Sequence, residues 1–172
     1  ALILGKTTLP EFASSSFCDA PIHGVTRNPW DPTKTPGGSS GGSAVAVATG
    51  CAAIRHGTDM GGSVRIPASF TGLLGIKPSF GRIPLDDQPS FIDDIQHHGL
   101  LTRTAGDLEV ALSAIAGPDI SDPRTLCLSE TKRCRELHLD QLSVAVSPDL
   151  GFFGVTDEVA ERVSETAAWL KG

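Results

Sequence analysis

Two glycine-serine segments, Gly37-Gly38-Ser39-Ser40-Gly41-Gly42 and Gly57-Thr58-Asp59-Met60-Gly61-Gly62-Ser63, constrain this 172-residue chain more than any other feature. The run from Gly42 to Ala53 links them with small and β-branched residues, and Ser43, Ala44, Ala46 and Ala48 allow close packing. Glycine and serine alone would read as a flexible linker. A linker, however, does not run directly into an apolar segment and then a second glycine-rich turn. The pattern predicts a helix over 42–53 buried against a sheet, a short strand over 54–58 and a tight turn at Met60-Gly61-Gly62-Ser63. Pro67 argues against a long helix that starts before it.

The rest of the chain reads as alternating α and β elements. Ala1 to Leu4 is expected to be the tail of a buried strand ended by Gly5 and Lys6, with further sequence upstream. The segment Pro21 to Gly42, including Asn28-Pro29-Trp30-Asp31-Pro32, is too rich in turn formers for helix or strand, and long irregular segments inside a domain are usually functional. Thr104 with Asp107 resembles an N-cap, and Leu108, Ala111, Leu112 and Ile115 make one helical face before Gly117-Pro118 stops it. Pro118 to Gln141 reads as a polar surface excursion and Leu142 to Val146 as a strand. Thr156 with Glu158 opens a last amphipathic helix through Val159, Val163 and Ala167.

Composition excludes several classes. Fourteen basic residues stand against twenty acidic ones, a formal charge of −6, with no basic cluster, so direct contact with nucleic acid is not expected. No stretch approaches the roughly 18 apolar residues of a membrane span, which makes a cytoplasmic protein the default. Cys18, Cys51, Cys127 and Cys134 show no CxxC pair and no metal spacing, so reduced structural thiols are expected. The first glycine segment lacks the Lys-Ser/Thr pair of a phosphate loop. His56, His97 and His98 come with no motif of a Ser-His hydrolase, and His97-His98 has no partner at helical spacing that would make a metal site.

A serine hydroxyl is a weak nucleophile, so it needs a base for its proton and N–H donors for the oxyanion that forms on attack. Glycines let a chain aim successive N–H groups at one point, and Met60-Gly61-Gly62-Ser63 has that composition. The stretch Gly37 to Ala68 as a whole resembles the amidase signature, in which GGSSGG and GTDxGGS[IV]RxP flank a helix of small residues. The flanks are similar too: Gly5-Lys6-Thr7-Thr8-Leu9-Pro10-Glu11-Phe12, Asn28-Pro29-Trp30, Gly75-Ile76-Lys77-Pro78 and Leu101-Thr102-Arg103-Thr104. Arg55 departs from the pattern, which usually has a small residue there, and puts local packing in question.

The resemblance implies an α/β fold, a mixed β-sheet flanked by helices, with residues 1–172 as the central part of one amidase-signature domain. It implies Ser63 as the nucleophile of an acyl-enzyme and the N–H groups of Met60, Gly61, Gly62 and Ser63 as oxyanion donors. Ser39 becomes a proton-shuttling serine entered through a cis Gly38–Ser39 bond, and Ser40, Asp59 and Arg65 support the loops. The family's catalytic lysine would lie upstream of Ala1, because Lys6 falls in the GKTNxPEF-like segment that follows it, and Lys34 sits in the Pro/Asp loop. Little activity is therefore expected of this chain alone. With strands missing their partners, exposed sheet edges and poor solubility are also expected. No cofactor is implied. The expected partner is a small-molecule amide, with no direct nucleic acid, no membrane and self-association into a homo-oligomer. Phe70-Thr71-Gly72 and Pro78 to Pro84 look more like the stand-alone amidases than the alternative in the same family, the amidase subunit of a tRNA-dependent amidotransferase. A truncated, non-catalytic remnant is the reading from outside enzymology.

Overall fold

A computed structural model describes residues 2–85, 94–125 and 142–171. The chain divides into two compact units, Ala1–Thr131 and Lys132–Gly172.

In the first unit, strands β1 (Asp19–Ala20) and β2 (Gly24–Val25) form a small hairpin ahead of helix α1 (Gly41–Ala48). Strand β3 (Ile54–Asp59), helix α2 (Arg65–Thr71), strand β4 (Leu74–Ile76), strand β5 (His97–Thr102) and helix α3 (Ala105–Ile115) follow. The three longer-range strands make a sheet of order β3-β5-β4, with both pairings antiparallel and Gly57 opposite Gly99. The fold is α/β, a sheet flanked by helices.

The core explains why so weak a helix former as Gly41-Gly42-Ser43-Ala44 is helical at all. Ala44 and Val47 of α1 pack with Val64, Ala68 and Leu101, and Leu73 closes the cluster. Burial of that stripe outweighs glycine's poor propensity. Gly42 is required for closeness: a Cβ there would collide with the backbone and hydroxyl of Thr8. Helix α1 is shorter than the 42–53 expected, ending where Gly50 takes a φ of 78°, and Arg103 Nη1 donates to the carbonyls of Val47 (2.8 Å) and Ala52 (3.2 Å). A cation at a helix C-terminus satisfies carbonyls that have no partner in the helix.

Pro67 sits inside α2, two residues after its start. The first turn of a helix has N–H groups with no helical partner, so a proline there costs little, and the helix that starts before Pro67 is a short one of seven residues. Thr104 caps α3 as expected, accepting from the Asp107 N–H at 3.1 Å.

The N-terminal expectation fails. Leu2, Ile3 and Leu4 form no strand and are largely exposed: among the described residues β3 and β4 are the sheet's edges, and neither pairs with them. Arg55 is held rather than solvated: its Nη1 donates to the Gly5 carbonyl at 3.1 Å, while its buried Nε finds no acceptor among the described residues. Cys18 is a buried free thiol and Cys51 an exposed one, whereas Cys127, Cys134 and most of the expected 118–141 excursion lie outside the described residues.

In the second unit, α4 (Asp157–Leu170) forms as read from its periodicity. Leu142–Val146 is not a strand: it makes no ladder among the described residues. Instead Val144 and Val146 face Val159, Val163 and Ala167 of α4 across a cleft of about 630 Å³.

Candidate functional site

The last residue of β3 organises the site. Asp59 is completely buried, and its carboxylate accepts from the N–H groups of Gly62 (2.8 Å), Val64 (3.1 Å) and Arg65 (3.3 Å). Arg65 adds two charge-assisted bonds, Nε to Oδ2 at 3.0 Å and Nη2 to Oδ1 at 2.8 Å. The chain is thereby folded back on itself within six residues, and Gly62 takes a φ of 108° that a side chain would resist. Ser63 is half-buried at the crest, and the side chain of Met60 is 53% exposed.

Burial pushes the Asp59 carboxyl up, but Arg65 and the three N–H groups outweigh it and hold its pKa down to about 2, against an ordinary 3.8. A depressed carboxylate contributes stability that is present above the unfolded-state value and lost as pH falls through the folded one. The shift corresponds to about 2 kcal/mol, disappearing between about pH 4 and pH 2. Denaturant midpoints at pH 5 and pH 2 are expected to differ by that much more in the wild type than in Asp59→Asn, and parallel pH profiles would contradict this.

The first glycine segment comes to the same place through its backbone. Ser40 N–H donates to the Ser63 carbonyl at 3.1 Å, and the Ser40 hydroxyl packs on Gly57 and donates to the Thr58 carbonyl at 3.4 Å. Ser39 is 2% exposed, and the bond leading into it from Gly38 is cis. A Cβ on Gly38 would meet the carbonyls of Ser15 (2.8 Å) and Phe17 (2.7 Å), so the chain at 15–17 roofs the loop. Ser39 and Ser40 on the first segment, and Asp59, Met60, Gly61, Gly62, Ser63 and Arg65 from the end of β3 to the start of α2, are thus brought together with one backbone hydrogen bond between them.

Three details were not legible in the sequence. The Gly62 N–H is committed to Asp59, whereas among the described residues the N–H groups of Met60, Gly61 and Ser63 make no bond within the protein. Thr7 braces α1, its Oγ1 lying 2.8 Å from Ser43 Oγ, while Thr8 ties the same segment to Thr26 just after β2, Oγ1 to Oγ1 at 2.7 Å. Trp30 and Asn28 fasten the Pro/Asn loop to the end of α2, donating to the carbonyls of Thr71 and Phe70, each at 2.8 Å. The flanking segments that resemble the family contain these residues, but nothing in them said what they touch.

Among the described residues no base reaches the serines. Among the described residues neither the Ser39 nor the Ser63 hydroxyl makes a hydrogen bond, Lys6 is exposed, Lys34 pairs with Asp31 at 3.5 Å, and Lys77 donates to the Pro78 carbonyl. His56 lies instead against His98, and His97 against the Ile95 carbonyl.

A buried acid that holds a glycine-serine turn at a strand end, with a second such loop tied to it on an α/β scaffold, defines the amidase-signature class. The family model described as Amidase matches residues 1–172, and the chain belongs to that family of amide-hydrolysing enzymes.

Among its relatives is a glutamyl-tRNA(Gln) amidotransferase subunit from Saccharolobus solfataricus, 36% identical over 177 residues, covering 99% of this chain and 37% of that protein. The protein of the same name from Lactiplantibacillus plantarum is 48% identical over 122 residues, covering 71% of this chain and 25% of its own length. Among solved structures, a bacterial aryl acylamidase of the amidase-signature family superposes with a TM-score of 0.87 at 31% identity, over 99% of this chain and 36% of that one. The chain therefore spans about a quarter to somewhat over a third of the relatives it matches.

These names overturn the expected partners. A small-molecule amide alone, without nucleic acid and with only self-association, does not fit relatives named as one subunit of an enzyme whose name includes a charged tRNA. The argument from net charge failed because it averages over one segment, and a segment's charge says nothing of what other parts of an assembly hold. No helix among the described residues is long and apolar enough to cross a membrane.

Proposed function

We propose that this chain is the serine-bearing part of the amidase subunit of a tRNA-dependent amidotransferase, and that Ser63 is its nucleophile. The observation that carries the reading is the Asp59-held turn, with Ser63 at its crest and its carbonyl bonded to Ser40 N–H.

In the proposed cycle Ser63 Oγ attacks the carboxamide carbon, and its proton passes by way of Ser39 to a base. The oxyanion meets the uncommitted N–H groups of Met60, Gly61 and Ser63, while Gly62 spends its own on Asp59 and keeps the turn in shape. The C–N bond breaks as ammonia takes a proton, leaving an acyl-Ser63 ester that water hydrolyses. The base is a neutral lysine outside the described residues, as the family resemblance implies. Ammonia then attacks a glutamyl carboxylate on tRNA that ATP has phosphorylated, and phosphate leaves as the amide forms, in an assembly with other subunits, in the cytoplasm where charged tRNA is used. Both units of the chain belong to one amidase-signature domain in this reading.

The close superposition on an aryl acylamidase favours a second reading, a stand-alone amidase that releases ammonia to water. The test is to purify the protein with whatever subunits accompany it and supply glutamine, ATP and glutamyl-tRNA(Gln). Glutaminyl-tRNA formation supports the amidotransferase reading; amide hydrolysis by a protein without partners, indifferent to tRNA, supports the amidase.

The 172-residue chain by itself, shown folded by circular dichroism, is expected to take up no fluorophosphonate by intact mass. Uptake that disappears in Ser63→Ala would mean that Lys6 or Lys34 serves as base, and would sink the lysine assignment.

A further inference from the structure

Strands alternate their side chains, and this sheet uses the two faces differently. Gly57 and Gly99 press on Val64, and Gly57 also on Ser40, so the serine loops lie on their face. His56 and His98, one residue away on β3 and β5, project from the opposite face. They are diagonal neighbours across the ladder, since His98 stands opposite Thr58 and His56 opposite Leu100. His56 Nε2 and His98 Nδ1 face each other at 2.6 Å, with ring centroids 4.5 Å apart and planes tilted by 58°.

We propose that this pair is a binding site for one divalent transition-metal ion of tetragonal preference, Cu2+ or Ni2+. In the pair as it stands one facing nitrogen carries a proton and the other a lone pair. Moving that proton to the other nitrogen of the same ring turns both lone pairs on a shared point, with no change in net charge. With metal–nitrogen bonds of about 2.0–2.1 Å, cis ligands of a square-planar ion stand about 2.9 Å apart, and tetrahedral ligands about 3.3 Å. From 2.6 Å the rings reach the first spacing by opening about 0.3 Å and the second only by about 0.7 Å.

Among the described residues no group of three or more His, Cys, Asp or Glu surrounds a metal-sized space, and the pair supplies two nitrogen ligands to the ion. His56 is exposed and His98 half-buried, which leaves room for it. The bound ion staples β3 to β5 three residues before Asp59, from the face away from the serines.

The experiment is a calorimetric titration of the untagged protein with Cu2+, with electron paramagnetic resonance of the complex. Expected are one ion per chain, hyperfine structure from two nitrogens, half-saturation at or below about 100 µM, and a rise in Tm. His56→Ala and His98→Ala are each expected to weaken binding at least about tenfold and to abolish the Tm rise, while His97→Ala does neither. Circular dichroism of each variant keeps a folding failure separate from a lost ligand. Binding unchanged in both variants, or none by about 1 mM in folded wild type, would overturn the site and leave the pair a strand-to-strand hydrogen bond.

Discussion

Ser63→Ala is expected to reduce amide hydrolysis by the assembled enzyme by a factor on the order of 10⁶, leaving the fold intact. The side chain is half-buried, its hydroxyl makes no hydrogen bond among the described residues, and the turn around it is held by backbone groups that alanine keeps. Loss of activity with unchanged denaturant midpoint and KM would place the residue at the chemical step. A loss of only about tenfold would instead point to a positioning role, with the nucleophile elsewhere. Ser39→Ala separates the two serines: a proton relay can be partly replaced by water, so a smaller loss is expected there.

Asp59→Ala should have the largest effect on stability. Three backbone N–H groups and a guanidinium converge on a carboxylate with no solvent exposure, and removing it strands all of them around a cavity. Deleting one member of a buried ion pair costs about 3–5 kcal/mol. The Arg65 side chain is 53% exposed and recovers water, so the lower end, about 3 kcal/mol, is expected from chemical denaturation. Activity should fall with it, because without its anchor the Gly62 N–H is released and the turn relaxes. Full activity at reduced stability would mean that the turn holds its shape without Asp59.

How much of this could be read beforehand varies from residue to residue. The two glycine-serine loops, the short strand after the small-residue helix, the Thr104 cap and the final helix follow from local chemistry, and each is present. Local signals failed where a partner decides the outcome. Leu142–Val146 has a strand's alternation yet finds no ladder among the described residues, and Leu2 to Leu4 has the apolarity of a buried strand but pairs with no sheet edge.

The relatives corrected the partners because substrate choice rests on residues scattered over a protein of which this chain covers a minor part. By itself the sequence determined the family and the identity of the candidate serines, because a motif of glycines and serines at set spacing encodes backbone shape locally. Only the tertiary structure decided which groups meet. It committed the Gly62 N–H to Asp59, bonded Ser40 to the Ser63 carbonyl, sent Arg55 to Gly5, and set His56 against His98. Those contacts join residues up to 50 positions apart, and their existence depends on strand register and helix packing, which are properties of the whole core and of no single segment.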